Sequence, residues 1–201
     1  MARAARLGAQ VDVVTVFAGD PGSTRQVSGW DRRAGFATEG AAASARRSED
    51  VEACRTIGAA PSWLPFAAGS YGDSRDPDRI WSALADAAAR ADTVLVPGFP
   101  LSNDDHAWLA ALFSDRKLPA QLIRYSEQPY RYGARTEGRR PGDEWERSGV
   151  AIRDYRLKRR AILAYRSQLP LLGLTRKLNR LLMHEILHGG EALLRSSSEA
   201  T

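Results

Sequence analysis

Two short stretches carry the residue types that hydrolytic chemistry uses. The first is Asn103-Asp-Asp-His106, which follows the apolar run Thr93-Val-Leu-Val-Pro97. Acids, an amide and an imidazole at the end of a buried strand suit a metal or acid/base site, because open α/β sheets bind ligands beyond the carboxyl ends of their strands. A capped helix start accounts for Asp104 and Asp105 equally well. The second stretch is His184-Glu-Ile-Leu-His188, a formal H-E-x-x-H. On a helix its histidines share a face and can grip zinc, with the glutamate as general base. That reading wants a third ligand. Gly189-Gly-Glu-Ala-Leu-Leu194 lacks the extended histidine pattern, and only thirteen residues follow His188. A zinc peptidase is therefore the remote alternative. The plainer reading is an amphipathic helix with Leu178, Leu181 and Leu182 inward and both histidines on its flank.

The elements that must position these residues alternate between strand and helix. Asp12-Val-Val-Thr-Val-Phe17 reads as a strand: β-branched, nearly continuous, and stopped by Gly19-Asp-Pro-Gly22. Such continuity suits a parallel strand covered on both faces. Residues 21–43 read as a long polar loop, and Ser44 to Ile57 as a helix with Val51, Cys54 and Ile57 on one face and Gly58 as C-cap. Trp63 to Phe66 reads as a short strand. Asp76-Pro77 opens the next helix, with Asp as N-cap and Pro at the first helical position. Ile80, Trp81, Leu84, Ala85 and Ala88 line its inner face. Thr93 to Val96 is the next strand, Ser102 with Asp105 resembles a capping box for a helix carrying Trp108, and Gln121 to Tyr125 is another strand. Residues 131–149 are polar and Gly-rich and read as a mobile loop or lid. Ile152 to Gln168 and Leu174 to His188 follow as two helices.

The expected fold is thus α/β: a Rossmann-like, mostly parallel sheet with flanking helices and a C-terminal helical pair. The expected organisation is a single domain over 1–201, with an α/β core at 1–130, the loop at 131–149 and C-terminal helices at 150–195. Met1 to Gln10 looks like the last turns of a helix ending at Gly8. A helix that feeds a buried parallel strand implies a strand before it, and that first strand is usually central. It is expected to be missing from this chain. Its neighbours would carry unpaired backbone groups, at about 1–3 kcal/mol for each one buried and unsatisfied.

Composition narrows the function classes. The chain has 201 residues, 43% hydrophobic and 26% charged, as in ordinary soluble domains. No apolar run reaches the length of a membrane span, and no signal peptide is evident at Met1. Its single cysteine, Cys54, excludes an internal disulfide and a Cys-rich metal site, and suits a reducing cytoplasm. Net charge is +5 and the pI is near 9.7, but the arginines are scattered among acids, so no nucleic-acid partner is expected.

Five segments, in order, resemble the PIG-L/LmbE family of zinc-dependent de-N-acetylases, and the resemblance spans nearly the whole chain. Gly8 to Gly19 is similar to the family's second strand. Arg46-Arg-Ser-Glu-Asp-Val-Glu-Ala-Cys-Arg-Thr-Ile-Gly58 is similar to its "R-x-x-E … LG" helix. Val94-Leu-Val-Pro97 leading to Asn103-Asp-Asp-His106 is similar to the strand and H-P-D-H motif. Tyr125-Ser-Glu-Gln-Pro-Tyr130 and Lys158 to Gln168 are similar to "Y-x-E-x-P-Y" and "K-x-x-A-x-x-x-Y-x-S-Q". In this alignment His184 to His188 falls on an ordinary terminal helix.

The resemblance implies removal of the acetyl group from an N-acetylglucosamine-type conjugate, a small-molecule amino-sugar partner, at a zinc ion. The family takes two zinc ligands and its general base from an N-terminal H-P-D-D motif that has no counterpart here. The third ligand corresponds to His106. Asp105 corresponds to an orienting carboxylate. Asn103 stands where the family has a histidine that steadies the oxyanion; an amide can donate to an oxyanion but cannot act as a cationic acid. Arg46 matches an arginine near substrate, and Tyr130, with Tyr132 and Trp145, could stack on a sugar face. With one zinc ligand of three, a non-catalytic sugar- or protein-binding module stands as the alternative to an active deacetylase.

Overall fold

A computed structural model describes residues 1–129 and 145–195. Its elements in chain order are α1 (Ala2–Arg6), β1 (Asp12–Thr15), α2 (Gly29–Arg33), α3 (Glu39–Ile57), β2 (Ala60–Trp63), α4 (Pro77–Ala88), β3 (Thr93–Phe99), α5 (Asp104–Asp115), β4 (Gln121–Ser126), β5 (Glu146–Arg147), α6 (Ile152–Leu163), α7 (Leu178–Leu187) and β6 (Ala192–Arg195). The α/β expectation holds, with parallel strands flanked by helices. The single domain read from the sequence is seen as two compact units. One comprises Met1–Ser74 with Ala151–Leu182, the other Arg75–Val150 with Met183–Thr201. Among the described residues no helix is long and apolar enough to cross a membrane.

In the first unit β1 and β2 pair in parallel, Asp12 opposite Ala60 and Thr15 opposite Trp63. Helix α3 packs on β2 and α6. Ala53 and Ile57 meet Ala161 and Ala164 in one buried cluster, and Leu169, Leu174 and Leu181 form another. Gly58 ends α3 at φ 73°, the left-handed conformation a glycine adopts without a Cβ clash. The helix starts earlier than Ser44: the Thr38 side chain accepts from Ala41 N, and Glu39, Gly40, Ala42 and Ala43 are already buried. A Cβ on Gly40 would lie 2.5 Å from the carbonyl oxygens of Pro21 and Ser23, so only glycine fits there. Residues 21–43 are therefore not all loop, and α2 also lies within them. Val51, expected inside, is exposed; Asp50 takes the inward position beside Cys54.

In the second unit the strand order is β3-β4-β6-β5. β3 and β4 are parallel, whereas β6 runs antiparallel to both β4 and β5. Two of the four strand pairings in the described chain are thus parallel. β6 corrects the expectation of helices through residue 195, and β5 corrects the loop at 145–149. Helix α4 starts as read, with the Asp76 carboxylate accepting from the Asp78 and Arg79 amides. Trp81 of α4 meets Phe113 of α5 edge-on at 5.3 Å. Ile80, Leu84, Leu112 and Phe113 are buried here, each contributing about 1.5–3 kcal/mol by leaving water. β1 and β3 fall in different sheets, and each has a single strand neighbour among the described residues.

Candidate functional site

The first stretch singled out in the sequence lies where the parallel pair β3–β4 ends. β3 stops at Phe99, and Leu101 takes φ +58°, the only positive φ at a non-glycine residue among those described. A leucine in the left-handed region carries backbone strain of about 1–3 kcal/mol, which folds keep where a turn must aim a side chain. Helix α5 then opens on Asn103. Its Oδ1 accepts from Asp105 N at 2.9 Å and His106 N at 3.3 Å, so Asn103, not Ser102, is the cap. Capping fixes the amide oxygen and leaves the Nδ2 hydrogens to donate.

His106 projects from the first turn of α5, with its side chain 40% exposed. Its Nδ1 lies 2.5 Å from Oε1 of Glu127. A carboxylate only accepts, so the imidazole donates through Nδ1 and turns Nε2 elsewhere. Glu127 is 2% exposed and held by its backbone, with its N–H donating to Phe99 O at 2.6 Å. Glu127 Oε2 is buried with no hydrogen-bond partner among the described residues. The neighbouring Tyr125 phenol is pushed up to about 12, by burial first and by the Glu127 charge second. Asp105 pairs with Arg75, whose guanidinium also lies 5.2 Å from the Trp108 ring centre. The carboxylate at His106 Nδ1 is thus that of Glu127.

Arg46 belongs to the other unit. It pairs with Asp31, a carboxylate 1% exposed that also accepts from the Tyr71 hydroxyl. The guanidinium therefore has a structural partner whatever else it touches. Further along α3, Asp50 accepts from Thr15 Oγ1 at 3.2 Å, Trp63 Nε1 at 2.8 Å and Tyr165 OH at 2.9 Å. Tyr130 and Tyr132 lie outside the described residues. Trp145 packs edge-on to Phe99, ring centres 6.3 Å apart.

The second stretch sits on α7 as the plainer reading has it. Leu178, Leu181 and Leu182 are buried and His184 and His188 exposed. Glu185 is 5% exposed, so it does not face the histidines' solvent side as a general base would. That argues against the zinc peptidase. Ser126, Gln128, Arg147, His184 and Glu185 line a cavity of about 10 Å³, the room one water takes.

The described residues do not fit a complete zinc site. No three His, Cys, Asp or Glu side chains among them come together to hold a metal, and the ligand expected at His106 has no second or third beside it there. Sequence reasoning quoted Glu127 only as the acid of the Tyr125–Tyr130 segment, with no role, and missed Asp31. Glu127 had a signal, an acid directly after a strand that is parallel to the one feeding His106. Asp31 had none, in a stretch read as loop.

No protein-family model matches the chain, and no curated protein does. Solved structures do match. The A40926 pseudoaglycone deacetylase Dbv21 is 24% identical over 96% of this chain and 87% of its own, with a TM-score of 0.75. A deacetylase of the teicoplanin biosynthesis pathway is 22% identical over 98% and 92%, with a TM-score of 0.76. GalB, the 4-carboxy-2-hydroxymuconate hydratase of Pseudomonas putida, is 20% identical over 100% and 89%, at 0.63. The chain has the fold these proteins share. Since a hydratase shares it with deacetylases, the fold alone does not choose a reaction.

Proposed function

We propose that this chain is a deacetylase-type module acting on the N-acetyl group of an N-acetylglucosamine-type conjugate. The observation that supports it most is the His106–Glu127 pair at the carboxyl ends of two parallel strands. One solved deacetylase of the same fold is named for the A40926 pseudoaglycone and another for the biosynthesis pathway of teicoplanin, which favours a small-molecule conjugate as ligand. Hydrolysis adds water across the amide, breaks its C–N bond, and yields acetate and the free amino sugar.

In this reading Glu127 holds the His106 ring so that Nε2 faces the acetamide. Asn103 Nδ2 donates to the carbonyl oxygen as negative charge builds on it. Arg75 neutralises Asp105, so the charge of that acid does not oppose the oxyanion. The family resemblance assigns Arg46 and Tyr130 to the substrate. No step passes through zinc, because these residues supply one ligand, His106.

A second reading is favoured by that same shortage of ligands: a pseudo-enzyme that binds the conjugate without turnover. Acetate release and conjugate binding, measured together on the wild type and on His106→Ala, separate the two. Release that falls about a hundredfold in the variant supports the deacetylase. Binding without release supports the binding module. Neither binding nor release overturns both.

A further inference from the structure

The deacetylase reading leaves His184 of α7 and His188, the residue after its end, unused. Both residues are exposed, one helical turn apart. Their rings stack with centres 4.0 Å apart and planes 23° apart. His188 Nδ1 lies 2.7 Å from the His184 carbonyl oxygen, so it is the donor nitrogen and Nε2 carries the lone pair. A ring nitrogen committed to a backbone carbonyl is the usual second contact of a metal-binding histidine; it fixes the tautomer and the ring plane.

We propose that His184 and His188 form a two-imidazole chelate for a divalent transition ion of the Cu²⁺, Ni²⁺ or Zn²⁺ class, built without His106. Imidazole suits these ions, and residues four apart on a helix share a face. With ring centres 4.0 Å apart, one nitrogen of each can meet a single ion at about 2.0–2.1 Å per bond once the His184 ring turns out of the stack toward the His188 Nε2 lone pair. Water fills the remaining positions. Glu185 takes no part, being buried. Cu²⁺ binds tighter than Ni²⁺ or Zn²⁺, following the general order for nitrogen sites. Because both ligands belong to one turn, the ion binds the folded helix and raises its melting temperature by mass action.

The test uses the full 201-residue chain without a histidine tag, titrated with Cu²⁺ by calorimetry and followed by thermal melting. One ion per chain is expected in the wild type and in His106→Ala. Affinity falls about tenfold or more in His184→Gln and in His188→Gln, and the copper-induced rise in melting temperature disappears. Both side chains are exposed, so the variants fold, and circular dichroism of the metal-free proteins checks that they do. The proposal is overturned if the wild type binds no ion, if His188→Gln binds as tightly as the wild type, or if His106→Ala is the variant that loses binding.

Discussion

The carboxylate of Glu127 lies 2.5 Å from Nδ1 of His106, joining the residue after β4 to the first turn of α5. The contact depends on the parallel β3–β4 register, which sets Thr93 against Gln121 and so brings both carboxyl ends to one edge of the sheet. One partner is 2% exposed and the other about two-fifths. The buried carboxylate thus anchors one edge of a partly exposed imidazole.

Glu127→Ala is expected to free the ring. The Glu127 carboxylate at Nδ1 favours the Nδ1–H tautomer of His106, since a carboxylate only accepts. Long-range ¹H–¹⁵N correlation should show the Nδ1–H tautomer in the wild type and in Glu127→Gln, whose amide oxygen still accepts. It should show a mixture in Glu127→Ala. An unchanged tautomer in the alanine variant would mean that Glu127 does not hold the ring.

Arg46 distinguishes a structural role from a ligand role. Arg46→Ala strips the cation from Asp31, which is 1% exposed, while the arginine itself is about one-third exposed. Allowing for that exposure, a loss of roughly 1–3 kcal/mol is expected in urea unfolding. Adding Asp31→Asn should recover most of it by removing the stranded charge. A single variant as stable as the wild type, with weakened conjugate binding, would assign Arg46 to the ligand alone.

Asp50 ties strand, helix and C-terminal segment through three donors. Tyr165→Phe removes one of them and should cost about 1.5–3 kcal/mol, the usual range for a hydrogen bond to a charged group. Asp50→Ala should cost more, since Thr15, Trp63 and Tyr165 all lose their acceptor. Urea midpoints in that order check the hub.

Alkali should destabilise the chain. Burial, then the Glu127 charge, raise Tyr125 from the usual 10 to about 12, so the folded state prefers the neutral phenol. That preference stabilises fully below pH 10 and is lost as the pH rises from 10 to 12, worth roughly 2–3 kcal/mol. Tyr165 is raised as well, by burial first and then by Asp50, and acts in the same direction. Phenolate absorbance at 295 nm should rise together with the loss of helical circular dichroism, and Tyr125→Phe should flatten the dependence. A stability that depends on pH between 10 and 12 as steeply in Tyr125→Phe as in the wild type would contradict this.

Helix α4 was legible because its start is local chemistry, Asp76 capping and Pro77 following. The early part of α3 was not. It packs through Gly40, Ala42 and Ala43, which leave no strong apolar period to read. β6 was read as helix because its pairing with β4 joins residues some seventy apart, Ile123 with Arg195, and no local pattern records that. His106 was picked out by residue type and by its place after a strand. Its partner was not, since Glu127 lies 21 positions away and needs the parallel register to reach it.

The account turns on His106 being where an amino-sugar conjugate docks, whether or not turnover follows. The most direct measurement is titration of the chain with an N-acetylglucosaminyl conjugate, followed by the His106 ring resonances and by calorimetry on the wild type and His106→Ala. The account predicts that the His106 signals shift on saturation and that the dissociation constant rises about tenfold in the variant, near 1.4 kcal/mol. Binding that leaves those resonances still and is equally tight without the imidazole would contradict it.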